Sequence, residues 1–320
     1  MRVMITGASG FLGRRLTKSL INIGKLVGPS GMLEEVTEII LSDIGKISIP
    51  SAPDRVRFRT IEGDLADPDT LSELTDQPFD SLFHLASQLT FHAERDPDQA
   101  WRVNVDPLRA LIAQASGCPR VVFASSIAVF GGALPEDVNE TLPPLPETTY
   151  GTHKALNELI LADASRHGRV DGRSLRLPIV LIRPGVTQPV VSDQVAAIAR
   201  EPLEGRNIAA PLSASTMVPV VSAGRVISGL IALHNASLAS LPPNRALNLP
   251  GLTISVADMA KAAMRAGATG QVSIKPDGKM QAVVDGWPTY FSSKFAADLG
   301  IAPDDNFGAI IDDYLAHRDV

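Results

Sequence analysis

The chain has a single cysteine, Cys118, among 320 residues, so no internal disulfide can staple it. Cys118 stands in no recognisable relation to a histidine or carboxylate, and it reads as a buried structural thiol rather than a nucleophile. Positive charge is not in excess either. The 29 Lys and Arg against 35 Asp and Glu leave a net charge of -6, with no basic stripe of the kind a nucleic-acid binder carries. No apolar run reaches the roughly 18 residues of a membrane span. "MRVMITGASG" has no apolar core leading to a cleavage site, so neither a membrane nor a secreted location is expected and a cytoplasmic one is. His84, His92 and His153 show no metal-ligand spacing, and no metal is expected. Internal repeats, low-complexity tracts and a clear linker are also missing.

With 45% hydrophobic residues, the chain can bury a large core. Short apolar runs rich in Val, Ile and Leu recur in the first 185 residues. They are "VMIT" (3–6), "EIILSD" (38–43), "VRFRTI" (56–61), "SLFHLA" (81–86), "RVVFAS" (120–125) and "LPIVLIRP" (177–184). Runs of that kind are strands buried on both faces. Helical patterns lie between them: "FLGRRLTKSLINIG", "DPDTLSELTD", "DPDQAWRVNVDPLRALIAQAS" and "YGTHKALNELILADASRHG". This alternation predicts an α/β chain of Rossmann type, a doubly wound parallel sheet with helices on both faces. The expected division is a nucleotide-binding domain over 1–184, with 216–250 returning to it. Residues 185–215 and 251–320 form a smaller substrate-binding region.

"TGASGFLG" sets Gly7, Gly10 and Gly13 between the first strand and the first helix. Glycines there allow a tight turn and close approach of a pyrophosphate, which the helix N-terminus favours. The second strand ends at Asp43, where a carboxylate accepts hydrogen bonds from an adenosine ribose and repels a 2′-phosphate, favouring NAD over NADP. The alternative is a solvated acid at a strand end. Its interval from the glycines exceeds the usual ~20 residues, and "GKLVGPSGMLEE" reads as an insertion lengthening the first crossover. Asp64 and Leu65 in "EGDLAD", and "HLAS" at 84–87, also fall at the carboxyl ends of strands, the general place for ligands.

Tyr150 and Lys154 are i and i+4 in "TTYGTHKALNE", so on a helix they share one face. A phenol titrates near 10 in water, and a neighbouring ammonium stabilises its phenolate. A phenolate can take the proton of a substrate hydroxyl while hydride leaves the same carbon. "VVFASSIAVFGG" supplies Ser125 and Ser126 at the end of the fifth strand to steady the substrate oxygen.

These pieces resemble the extended short-chain dehydrogenase/reductases, the group of sugar-nucleotide epimerases and dehydratases. The match is carried, in order, by "TGASGFLG", "GDLAD", "HLAS", Asn104 in "RVNVD", "SSIAVFGG", "YGTHK", "RLPIVLIRPG" and "NLPG". Phe130 departs from it, where many members carry tyrosine. The resemblance implies NAD lined by Gly7, Gly10, Phe11, Leu12, Gly13, Asp43, Asp64, Leu65, Leu85, Ala86 and Ser87. Asn104 would support the site, Lys154 would hold the nicotinamide ribose, and Ser126, Tyr150 and Lys154 would form the catalytic set.

Within the group, the lengthened crossover, "FLGRRL", "DGRSLRLP" and "REPLEG" resemble a branch that oxidises four-carbon sugar acids, while "RPGVTQPVVSDQV" departs from that branch over a loop expected to cover the substrate. A small sugar acid is therefore the expected partner, beside Ser125, Ser126 and Tyr150. Related uronate dehydrogenases imply Ser192 and Arg200 as its carboxylate grip; the alternative makes Arg200 a surface residue. A uronate dehydrogenase, and a nucleotide-sugar epimerase that keeps its NAD, stand as alternatives. The second is weakened because 185–215 holds only Arg200 and Arg206 as cations for a diphosphate. A non-catalytic cofactor sensor is disfavoured by the intact Ser126, Tyr150 and Lys154. The resemblance also implies a homodimer through two helices, one of them bearing Tyr150.

Overall fold

The central sheet has seven strands: β1 (Arg2–Thr6), β2 (Glu38–Asp43), β3 (Arg57–Glu62), β4 (Ser81–His84), β5 (Arg120–Ser126), β6 (Asp171–Leu177) and β7 (Ala246–Asn248). Their order in the computed structural model is β7-β6-β5-β4-β1-β2-β3. The described residues are 1–182, 184, 185, 187 and 190–318. β1 pairs in parallel with β2 and with β4, β2 with β3, and β4 with β5. The order reverses at β1. In a doubly wound sheet the crevice beyond the carboxyl ends at that point is where a nucleotide lies.

The strands are buried because their side chains are apolar on both faces. Val3, Met4 and Ile5 are fully enclosed. On one face Met4, Ile40, Leu82, Val121 and Phe123 pack with Leu71, Leu108, Leu111 and Leu161 into one core. Each such side chain contributes about 1.5–3 kcal/mol by leaving water.

Helix α1 (Phe11–Ile23) starts at Gly10 and stops at Gly24, whose φ of 68° suits only a residue without Cβ strain. The "DPDQAWRVNVDPLRALIAQAS" segment forms two helices rather than the single one expected. They are α2 (Pro97–Asn104) and α3 (Asp106–Gln114). Pro107 accounts for the break, since its ring would clash with the carbonyl four residues back in a continuous helix. Helix α4 (Thr149–Arg166) is capped by Thr148, whose Oγ1 accepts from Gly151 N at 3.0 Å.

The sixth strand lies earlier than the sequence pattern placed it. "DGRSLRL" joins the main sheet, while Ile179–Leu181 pairs with Met217–Ser222 in a separate three-stranded sheet. Arg173 and Arg176 hide the strand from an apolar reading, because both are buried in ion pairs, with Asp171 and Glu158. The lengthened crossover is an antiparallel hairpin, Lys25–Val27 with Leu33–Glu35. Cys118 is exposed, not buried as expected, and its φ is 54°.

The chain forms two compact units. The first is Met1–Ser126, Thr148–Arg176 and Ile227–Leu247; the second is Ile127–Glu147, Leu177–Val226 and Asn248–Val320. Relative to the expected division, 127–147, 177–184, 216–226 and 248–250 fall in the second unit. Its core gathers Val195, Ile198, Val218, Val220, Met259, Phe307 and Ile310.

Candidate active site

The glycine turn is built to the tolerance of a missing side chain. Gly7 has φ 75°, and a Cβ there would stand 2.8 Å from Ala86 N. A Cβ on Gly13 would stand 2.2 Å from Gly7 O. Gly10 brings no side-chain cap to α1, which leaves the first-turn amides of Phe11, Leu12 and Gly13 without that acceptor. Leu85 N donates to Thr6 O at 3.1 Å, so the "HLAS" segment continues directly off β4 beside the turn. Asp43 ends β2, and its carboxylate accepts from Ser9 N and from Gly45 N, both at 2.9 Å. An acid that is half-buried at this strand end, next to a glycine cradle, fits the ribose and pyrophosphate of a dinucleotide. Asp64 closes its own turn by accepting from Ala66 N. The Leu65 side chain packs into the sheet core.

Asn104, at the end of α2, grips the next segment. Its Oδ1 accepts from Gln88 N at 2.6 Å and Ser87 Oγ at 3.2 Å, and its Nδ2 donates to Gln88 O at 3.0 Å. Asn157 on α4 donates to the Asn104 carbonyl at 2.7 Å. Asn104 thus latches α2, α4 and residues 87–88 together.

Ser126, Tyr150 and Lys154 come together at the end of β5. The Ser126 hydroxyl hydrogen-bonds the Tyr150 phenol. Lys154 Nζ donates to Ala124 O at 2.8 Å and lies 5.4 Å from the Tyr150 ring centroid and 4.6 Å from that of Phe123. Burial pushes the Lys154 ammonium down to about 7, opposed by the charge of Glu158. The phenol behaves differently from the sequence expectation. Burial pushes Tyr150 up to about 12, with the Ser126 hydrogen bond pulling the other way. The reason is that the same burial that brings the lysine close also penalises the phenolate, and a lysine near neutrality carries only part of its charge. Beneath this group His84 Nδ1 shares a hydrogen bond with Thr6 Oγ1 at 2.8 Å, and its ring stacks on Phe123. Burial, then Lys154, pushes His84 down to about 3.

Two of the expected substrate contacts, Ser125 and Arg200, are taken up by protein groups. Ser125 is buried and its hydroxyl donates to Glu158 Oε1 at 2.6 Å, so it is a core donor. In the second unit, Ser192 stands half-buried in the first turn of helix α5 (Val191–Leu203). Arg200, on the same helix, is 1% exposed. It donates to Asp193 at 3.0 and 3.3 Å, to Glu201 at 3.1 Å and to Thr187 Oγ1 at 2.7 Å. Its guanidinium satisfies protein carboxylates and is neither the surface residue nor the free carboxylate grip that the sequence left open. Arg183, Val186, Gln188 and Pro189, in the loop expected to cover the substrate, lie outside the described residues. Among the described residues no cluster of metal-ligating side chains occurs, and no helix is long and apolar enough to cross a membrane.

The sequence pattern passed over Glu158 and Arg176. Glu158 lies four residues beyond Lys154, and that i+4 step was the available signal. Arg176 gave none, because an arginine in a strand reads as an edge.

The profile of the "NAD dependent epimerase/dehydratase family" matches residues 3–234. A D-erythronate dehydrogenase of Cupriavidus necator is 35% identical, with 98% of each chain covered. Another from Haemophilus influenzae is 34% identical, with 99% of each covered. The crystal structure of a nucleoside-diphosphate-sugar epimerase from Agrobacterium tumefaciens superposes with a TM-score of 0.90 at 32% identity, covering 99% of this chain and 94% of that one.

Proposed function

This chain belongs to the NAD-dependent epimerase/dehydratase family, and from that premise we propose that it oxidises a secondary hydroxyl of a small sugar acid, D-erythronate or a close analogue, to the 2-oxo acid. The observation that carries the reading is the Ser126–Tyr150–Lys154 group at the end of β5, in a chain similar over its whole length to two D-erythronate dehydrogenases. NAD, held by the glycine turn and Asp43, supplies a hydride acceptor and a positive charge when bound. Ser126 holds the substrate oxygen by its hydroxyl, and Tyr150 takes the proton from that oxygen. Lys154 lies against the Tyr150 ring, so its charge favours the phenolate over the phenol. Proximity of these groups to one hydroxyl removes much of the entropic cost of the step.

The test is net NADH formation across a panel of aldonates and uronates. Reduction with D-erythronate or a near relative is expected. If NAD instead stays with the purified protein and sugar nucleotides are interconverted without net NADH, the epimerase reading replaces this one. That second reading draws on the likeness to the nucleoside-diphosphate-sugar epimerase. A homodimer in the cytoplasm completes the proposal, and sedimentation of the purified protein checks the dimer.

A further inference from the structure

Tyr150, Lys154 and Glu158 are i, i+4 and i+8 on α4, one above another on a single face. Three consecutive residues of β5 each engage one of them. The Ala124 carbonyl takes Lys154, the Ser125 hydroxyl takes Glu158, and the Ser126 hydroxyl takes Tyr150. Glu158 is only 5% exposed. Its carboxylate also accepts from Arg176 Nε at 2.9 Å and Nη2 at 2.7 Å, a bidentate pair from β6. A carboxylate buried this deeply is costly unless it is matched, and a stabilising core would do as well with apolar residues. Its placement one turn below a buried ammonium gives it an electrostatic role.

We propose that Glu158 is a positioning residue for the reaction: its buried negative charge keeps Lys154 protonated beneath Tyr150. This rests on the catalytic reading of Tyr150 and Lys154. The charged and titratable groups bearing on Lys154 are Tyr150 and Glu158 on its own helix, His84 on β4 and Arg176 on β6. His84 stays neutral near pH 7, because burial and Lys154 itself hold its protonation down to about 3. Arg176 is bound to Glu158, so it tempers the carboxylate without cancelling it at Lys154, where Glu158 still acts to retain the proton. Without the carboxylate, Arg176 becomes an unmatched cation. Lys154 then sheds its proton earlier, and Tyr150 loses its ammonium neighbour.

The test sets Glu158→Gln, which keeps the shape and removes the charge, against Glu158→Asp, which keeps the charge and shortens the side chain. The NAD-saturated enzyme is titrated by the carbon-13 NMR signals of the lysine ε-carbons, with Lys154 assigned by its loss in Lys154→Met. The Lys154 midpoint moves down by about one pH unit in Glu158→Gln and stays within about 0.3 unit in Glu158→Asp. A purely structural Glu158 gives the reverse order, with the isosteric Gln near wild type and the shorter Asp disturbed, and that result overturns the proposal. If Glu158→Gln does not fold, Glu158→Asp decides alone: a midpoint within 0.3 unit supports the role and a one-unit shift overturns it. Because the carbon signal reads Lys154 without turnover, it separates this inference from the function reading, which fails instead if Tyr150→Phe retains full activity.

Discussion

Two cations are buried to nearly the same degree and treated in opposite ways. Lys154 in the first unit is 3% exposed and Arg200 in the second is 1% exposed. Lys154 has a backbone carbonyl and two ring faces for company, and burial brings it down to about 7. Burial also works against the charge of Arg200, but Asp193 and Glu201 more than offset it and raise its pKa. Glu201, against its own burial, is held down to about 2 by hydrogen bonds from Arg206, Thr187 and Arg200. Burial alone therefore does not make a charge reactive. What decides is whether a carboxylate is supplied to neutralise it. The first unit withholds direct neutralisation from Lys154, and the second gives it fully to Arg200.

The largest effect that separates the two comes from Lys154→Met. Turnover falls on the order of 10²–10⁴-fold by steady-state NADH absorbance. Heat stability moves the other way. The folded lysine titrates near 7 and the unfolded one near 10.5, so the unfolded chain binds the extra proton between those values. The burden of burying the ammonium is full below pH 7 and fades as pH rises towards 10.5. The variant therefore gains more stability at pH 6 than at pH 10. An equal gain at both would mean that folded Lys154 keeps its proton up to the unfolded value and that burial does not lower it.

Arg200→Gln inverts that signature. It strands Asp193 without its guanidinium and leaves Glu201 only Arg206 as a cation, at a cost of about 3–5 kcal/mol in a denaturant titration. The folded fraction turns over at a rate within a few-fold of wild type. Should stability hold while KM for the acid substrate rises tenfold, Arg200 is a substrate grip and the contrast with Lys154 fails.

The same contrast explains what the sequence made legible. The glycine turn, Asp43 and the Tyr150–Lys154 pair were readable because their chemistry depends on spacing along single elements. β6 was misplaced because its arginines sit in a strand only once they are paired, Arg173 with Asp171 on the same strand and Arg176 with Glu158 from α4. Arg200 looked available because Asp193 and Glu201 lie on its own helix in a pattern that reads equally as a solvated face. Ion pairing decides whether a charged residue is structural, and sequence shows the charges without showing who takes whom.

Histidines give a smaller, uncharged version of the test. Burial pushes both His84 and His234 down to about 3. Their unfolded values lie near 6.5, so the unfolded chain takes up protons from pH 6.5 downwards and stability is lost as pH falls through that window. Replacing one of them, as in His84→Gln, removes about 1.4 kcal/mol per pH unit from the slope of stability against pH between 6 and 5. Urea midpoints across that range measure it. Parallel curves for variant and wild type would show that His84 takes up a proton in the folded state.

The smallest expected effect is the anionic counterpart of the first comparison. Asp193 is neutralised by Arg200 at 3.0 Å, whereas Asp43 is held by two backbone amides, Ser9 N and Gly45 N. Amides fix the direction of a carboxylate without cancelling its charge, so in the proposed NAD site Asp43 is expected to repel a 2′-phosphate. Asp43→Asn preserves most of that geometry and deletes the charge. The ratio of kcat/KM for NADP to that for NAD is then expected to rise about tenfold, a difference of about 1.4 kcal/mol. Asp193→Asn, by contrast, leaves that ratio untouched and lowers stability, because it unmatches Arg200. If both variants change cofactor preference alike, or neither does, then how a carboxylate is compensated has no bearing on what it does. If only Asp43→Asn does, the rule drawn from Lys154 and Arg200 holds for charges of either sign.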